Sequence, residues 1–162
     1  MSKKIAPVSN YHIKYEATPT LAEFHSSKAF VRGIKGPIGS GKSVGCCIEI
    51  FEKASQQAPG IDGIRRTRWA VVRNTGPELE TTTIKTWLDW FPEHSFGKMN
   101  RKPPITHHCR VNDIDFEVIF LALDRPDDVK KLLSLELTGC WFNEAKFIHK
   151  DIIDAATGRV GR

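Results

Sequence analysis

Apolar positions along the chain fall into short runs separated by glycine, proline and polar turns, and the runs alternate between strand-like density and helical spacing. Residues 29–35 (AFVRGIK) form an apolar run that predicts a buried strand, ending on Gly36-Pro37-Ile38-Gly39-Ser40-Gly41. From Lys42 to about Ser55, Val44, Cys47, Ile48 and Phe51 recur at helical spacing, and Pro59-Gly60 stops that helix. Residues 68–73 (RWAVVR) predict a second strand, after which Asn74-Thr75-Gly76-Pro77 turns the chain into a helix reaching about Trp90 and ended by Pro92. Residues 105–111 and 115–123 predict two strands joined as a hairpin through Asn112-Asp113. Residues 126–133 predict a short helix, residues 138–142 a strand ending in Asn143-Glu144, and residues 150–156 a last helix before Gly158. The first 20 residues show no sustained period and predict an extended arm, leaving 21–162 as one domain. Strands alternating with helices predict an α/β fold with a largely parallel sheet flanked by helices.

Composition narrows the setting without changing that picture. With 162 residues, 40% hydrophobic and 27% charged, the chain has globular rather than disordered usage and the length of about one domain. No apolar run approaches the roughly 18 residues that span a bilayer, and the N-terminus lacks the apolar centre of a signal peptide. Four cysteines, two of them adjacent at Cys46 and Cys47, do not make the dense framework of a disulfide-stapled secreted domain, so a reducing cytoplasm is expected. The formal net charge of +5 permits contact with a polyanion but does not establish it.

The chemistry concentrates in Gly36-Pro37-Ile38-Gly39-Ser40-Gly41-Lys42-Ser43, which satisfies G-x-x-x-x-G-K-[ST] in full. Glycines let a backbone wrap a phosphate with its N–H groups inward, and a helix starting near Lys42 adds the positive end of its dipole. Lys42 is expected to reach the β- and γ-phosphates of a nucleotide, and the Ser43 hydroxyl to ligate Mg²⁺. Hydrolysis needs an acidic group at the end of a later apolar strand, and among the predicted strands only residues 138–142 end suitably. Glu144 is expected there at the C-terminal edge of the sheet, polarising a water toward the γ-phosphate. Asn143 takes the place next to Mg²⁺ where an Asp is usual, and brings no negative charge. A strand end capped by Asn is the plainer alternative for this pair.

The combination of GPIGSGKS, Val71-Val72-Arg73-Asn74-Thr75 running into Thr81-Thr82-Thr83-Ile84-Lys85-Thr86-Trp87, residues 133–139 (LSLELTG) and Asn143-Glu144-Ala145 resembles the ATPase domain of the large terminase subunit of tailed bacteriophages. Arg159-Val160-Gly161-Arg162 is similar to a segment after the acidic motif of that family. The resemblance covers the chain from about Thr18 onward. It implies a P-loop NTPase fold of the RecA/ASCE type and an ATP- and Mg²⁺-dependent motor that drives double-stranded viral DNA into a procapsid. Its implied partners are the portal protein, the small terminase subunit and further copies of itself in a ring, in the host cytoplasm at the portal. Carried onto this sequence, Lys42 and Ser43 match the nucleotide loop and Glu144 the catalytic carboxylate. The family's coupling strand and nuclease domain have no counterpart before Arg162, so the sequence reads as an N-terminal part. In that family the coupling strand lies between the loop strand and the acidic strand, which are therefore expected to lack a neighbour here. Two other readings stay open: a fragment that binds nucleotide without turning it over, and a helicase-like P-loop ATPase.

Further residues carry weaker expectations. Arg125, Arg159 and Arg162 are candidates for an arginine acting across a subunit interface, although solvated arginine is the commoner role. Arg65, Arg66, Arg68, Lys130 and Lys131 are candidates for DNA phosphates, against the plainer reading of a solvated face. Phe24-His25 sits where this superfamily contacts the adenine base, with a structural aromatic as the alternative. His107-His108-Cys109 lacks the spacing of a metal site and reads as alternating strand residues. At least one of Cys46 and Cys47 reads as buried, and Trp69, Trp87, Trp90 and Trp141 as packing residues.

Overall fold

The sheet of this computed structural model, which describes residues 12–161, is built from β1 (Arg65–Arg73), β2 (Met99–Asn100), β3 (Ile105–Val111), β4 (Ile114–Ala122) and β5 (Gly139–Phe142). Their order is β2-β3-β4-β1-β5. β3 and β4 form the predicted hairpin, with Val111 opposite Ile114 and Asn112 left-handed at φ 52° in the tight turn. β1 lies parallel to both β4 and β5, whereas β3 pairs antiparallel with β4 and β2 antiparallel with β3. The sheet is therefore mixed rather than largely parallel. A two-residue turn between β3 and β4 permits only an antiparallel pair, because parallel neighbours need a long crossover.

Strand periodicity sorts the core onto two faces. Trp69 and Val71 of β1 join Phe116, Val118 and Phe120 of β4 under α2 (Lys42–Gln56) and the helical stretch after β1. Ala70, Val72, Ile119 and Leu121 point the other way, toward Leu132 of α6 (Val129–Leu133) and Ile152 and Ala156 of α7 (Lys150–Thr157).

The predicted helix after β1 is composite: α3 (Gly76–Glu78), a π-helical turn at Leu79–Ile84, then α4 (Lys85–Trp90). Thr81 and Thr82 donate their hydroxyls back to the Pro77 and Glu78 carbonyls, at 2.7 and 2.5 Å. Such back-bonding competes with the helix's own N–H donors and accompanies the wider turn. α1 (Pro19–Ser26) begins inside the segment expected to be an arm, with Thr18 as its N-cap and Pro19 in its first turn. Residues 12–17 of that expected arm have no regular structure, and residues 1–11 lie outside the described residues. A four-residue helix, α5 (Glu93–Phe96), and the short β2 were not foreseen.

The run 29–35 is not a strand. Phe30 and Val31 are 66% and 68% exposed, and no strand among the described residues lies beside the run to pair its N–H and C=O groups. Apolar content alone does not hold a strand without a hydrogen-bonding neighbour. The outer side of β5 likewise faces no strand in the sheet order. Between the two lies a groove of about 1210 Å³, walled by residues 30–36, α2, β5 and the chain after α7.

Candidate functional site

The glycine loop enters α2 through two left-handed glycines, Gly39 at φ +81° and Gly41 at φ +77°. A Cβ at Gly39 would meet nothing within 4 Å, so the backbone angle rather than crowding demands glycine there. Gly41 is the N-cap of α2, and no side chain among the described residues caps the helix. The first N–H groups of a 15-residue helix therefore face the loop with their partial positive charge uncompensated, the arrangement that receives an anion. Lys42 folds over the same loop, where its Nζ donates to the Gly36 and Pro37 carbonyls at 2.7 and 2.6 Å and to Ser40 Oγ at 3.1 Å.

The second wall comes from the end of β5. Asn143 N–H donates to the Val72 carbonyl at 2.9 Å, extending the β1–β5 pairing one residue past the strand. Glu144 then turns left-handed, at φ 56° and ψ 54°. A non-glycine residue in that region costs about 1–2 kcal/mol, and such strain concentrates at functional positions. Its carboxylate is half-exposed and stands 3.8 Å from Lys146 Nζ. Gly36, Ile38, Lys42, Ser43, Asn143 and Glu144 all line the groove. The structure thus brings the loop and the predicted acidic edge to one space; Pro37, Gly39, Ser40 and Gly41 complete the loop behind it.

Asn143 differs in one respect from its expected role. It is 7% exposed, and its Nδ2 donates to Thr83 Oγ1 at 2.7 Å, so one end of the amide is committed to the π-helical turn. Arg73, at the end of β1, is buried and stands 3.8 Å from Glu78, which also accepts from Thr75 Oγ1 at 2.9 Å. Arg73 Nε and Asn74 Oδ1 are buried with no hydrogen-bond partner among the described residues. Arg73, Asn74 and Thr83 lie in the segments that carried the sequence resemblance, yet no chemistry was assigned to them.

Glu49 is a second residue that pattern alone did not reveal. It sits 4% exposed in α2 and receives His25 Nδ1 and Arg32 Nη2, both at 2.5 Å, with Lys53 3.6 Å away. His25 Nε2 bonds the Tyr15 hydroxyl at 2.9 Å, so His25 locks α1 to α2 and does not line the groove. Phe24 does line it, beneath the Arg32 guanidinium at 4.8 Å. His25, Glu49 and Glu52 are close enough to hold a cation, but Glu49 and His25 already have these partners.

The remaining candidates disperse. Arg125 is exposed, Arg159 is half-buried beyond α7, and neither lines the groove; Arg162 lies outside the described residues. Arg65, Arg66 and Arg68 face Asp113, Asp62 and Glu117, and Lys131 faces Asp128. Lys130 is exposed on α6. His107 is buried on β3, accepting from Trp87 Nε1 at Nδ1 and bonding the Gly97 carbonyl through Nε2; burial pushes its pKa down, and it is neutral. His108 is exposed and Cys109 buried, the alternation expected of a strand. Burial pushes the Cys46 thiol up to about 12 and raises Cys47 as well, which makes both packing residues rather than nucleophiles. Trp69 and Trp87 are buried, while Trp90 and Trp141 pack at the margin of the same core.

No protein-family model and no curated protein sequence matches the chain. Solved structures do. The large terminase of a thermophilic bacteriophage, in a third crystal form, superposes over 90% of this chain and 35% of its own, with TM-score 0.63 and 10% identity. The same terminase in complex with ADP superposes over 78% and 30%, with TM-score 0.61 and 12% identity. A second crystal form gives 78% and 30% coverage, TM-score 0.62 and 12% identity. The chain has the fold of the corresponding part of a phage large terminase, as the sequence resemblance implied, and spans about a third of the length of those chains.

Proposed function

We propose that the chain is the nucleotide-binding portion of a terminase large subunit, a P-loop ATPase of the RecA/ASCE type that takes ATP with Mg²⁺ and serves DNA packaging. The observation that carries this reading is the meeting, in one groove, of an uncapped helix N-terminus wrapped by left-handed glycines and a strained acidic strand end. The donor set suits a polyphosphate: backbone N–H groups, one ammonium and two hydroxyls, with no carboxylate within the loop. The terminase bound to ADP that shares this fold supports the reading.

In this site the loop N–H groups and Lys42 bind and orient the phosphates, for which Lys42 exchanges its present carbonyl acceptors for phosphate oxygens. Ser43 and, through a water, Asn143 would hold Mg²⁺, which neutralises charge on the phosphates. Glu144 orients and accepts a proton from the attacking water. Double-stranded DNA, the portal protein, the small subunit and a homo-oligomeric ring, in the host cytoplasm, are the partners and setting this function brings with it.

A nucleotide-binding protein that does not turn ATP over is the second reading, favoured by the Lys146 ammonium beside the Glu144 carboxylate and by the outer side of β5 facing no strand in the described sheet. Single-turnover hydrolysis by wild type and Glu144→Gln separates them. Release of γ-phosphate by wild type, lost in Glu144→Gln with binding retained, supports the ATPase. Equal rates in the two proteins overturn the role of Glu144, and no release from wild type with intact binding establishes the second reading.

A further inference from the structure

We infer that Lys146 is a second phosphate-facing cation of the groove, one that meets the terminal phosphate of a nucleoside triphosphate and so tells it from a diphosphate. This role rests on the nucleotide-site reading above. Lys146 follows the acidic edge by two residues and lines the same groove as Lys42, Ser43 and Glu144. It sits in the short helical turn Ala145–Phe147, which begins straight after Glu144 and closes with the Phe147 N–H donating to the Glu144 carbonyl at 2.9 Å. Residues two apart on a helical turn do not face one another. Glu144 departs from that rule because its own backbone is left-handed, at φ 56°, and its carboxylate comes to 3.8 Å from Lys146 Nζ. The strained position thus delivers a cation and a carboxylate to one place on the groove wall.

That place fixes what the cation can reach. For Glu144 to take a proton from a water attacking the γ-phosphorus, the carboxylate lies one hydrogen bond, roughly 3 Å, from that water, and the water roughly 3–3.5 Å from phosphorus. An ammonium 3.8 Å from the carboxylate is then one side-chain rotation from the γ-phosphate oxygens. The β-phosphate lies deeper, against the loop N–H groups and Lys42. Little opposes the rotation. The Lys146 side chain is 70% exposed, and its partners are the half-exposed Glu144 and the face of the exposed Phe147 ring at 4.7 Å. Exposed contacts of these two kinds each shift an equilibrium by no more than about fivefold, so a phosphate oxygen readily displaces them. The other cations of the groove walls are placed differently. Arg32 and Lys53 stand against the buried Glu49, and Lys35 lies on the wall opposite the Glu144 edge.

Affinities for a non-hydrolysable ATP analogue and for ADP are measured, each with Mg²⁺, for wild type, Lys146→Gln and Lys146→Arg. Lys146→Gln is expected to lose about tenfold for the triphosphate, the low end for a hydrogen bond between charged groups because the side chain is exposed, and to keep the wild-type affinity for ADP. Lys146→Arg keeps the cation and is expected to keep the discrimination. Acylation of wild-type lysines by an amine-directed anhydride, followed by peptide mass spectrometry, gives a readout that needs no variant. The ATP analogue is expected to slow modification of Lys146 several-fold relative to the exposed Lys130, and ADP to leave it unchanged, while both protect Lys42. Equal losses for the two nucleotides in Lys146→Gln, no loss for either, Lys146→Arg as impaired as Lys146→Gln, or equal acylation of wild-type Lys146 under both nucleotides overturns the inference alone. Faster hydrolysis by Lys146→Gln with the discrimination unchanged makes the ammonium a restraint on Glu144 and overturns it too. A wild-type chain that binds neither nucleotide overturns the nucleotide reading, and the inference falls with it.

Discussion

Gly139 opens β5 directly beside Trp69 of β1, and an alanine there has nowhere to put its methyl group. The added Cβ would lie 2.3 Å from Trp69 Cη2 and Cζ3 and 2.6 Å from Cε3, against the roughly 3.5–4.0 Å at which carbon atoms rest. The indole is a rigid plane, 8% exposed, packed in the larger core cluster, so it cannot yield by rotating one bond. Overpacking of this kind costs about 1–3 kcal/mol, which for a domain of this size lowers Tm by roughly 2–12 °C. β5 pairs with β1 only across Trp69–Val72, so the displacement carries on to Asn143 and Glu144. Urea and thermal unfolding of Gly139→Ala measure the loss, and a cycle with Trp69→Phe assigns it. The smaller phenyl ring lacks the outer part of the indole that makes the clash, and the Trp69 Nε1 is buried without a partner among the described residues, so the cycle loses no hydrogen bond to them. In the Trp69→Phe background the glycine substitution is expected to cost at least about 1 kcal/mol less. A Gly139→Ala protein within about 0.5 kcal/mol of wild type, or the same loss in both backgrounds, would refute the packing argument.

Gly45→Ala tests the α1–α2 contact: the new Cβ would stand 2.3 Å from Leu21 Cδ2, so the substitution destabilises wild type, but in a Leu21→Ala background helix propensity alone remains and it stabilises by about 1 kcal/mol. Chemical unfolding of the four proteins shows the sign reversal or its absence. Glu93 is held down to a pKa of about 2 by hydrogen bonds from Arg101 and from the Met99 N–H, so its contribution is present above the unfolded-state value of roughly 4.3 and is lost as pH falls toward 2. The Tm gap between wild type and Glu93→Gln is expected to close over that window, and parallel Tm curves would contradict the assignment.

Local signals located most of the elements, and contacts distant in sequence decided what they missed. The β3–β4 hairpin was legible because Asn112-Asp113 separates two alternating runs, and α7 because its apolar positions keep helical spacing up to Gly158. β1 starts three residues earlier than its apolar content predicts, since Arg65–Thr67 pair with Ile114–Phe116 of β4 regardless of polarity. The apolar run 29–35 has the composition of a strand but no neighbour to bond. Thr18-Pro19 is a helix N-terminal signal, an N-cap followed by a first-turn proline, embedded among residues that also favour turns. The loop and the acidic edge were legible from spacing and residue type, including their placement in one region. The left-handed Glu144, the Asn143–Thr83 bond and the burial of Glu49 were not, because each depends on a partner or backbone state that no local window contains.

Calorimetric titration of the chain with MgATP, set beside Lys42→Ala, tests the nucleotide site most directly. Among the described residues the Lys42 ammonium bonds only within its own loop, so its removal takes away the cation facing the phosphates without unpicking the core. The wild-type chain is expected to bind with a stoichiometry near one, and Lys42→Ala to lose most of that affinity. Equal affinities in the two proteins, or no heat from the wild type at millimolar nucleotide, would contradict the assignment of this loop to ATP.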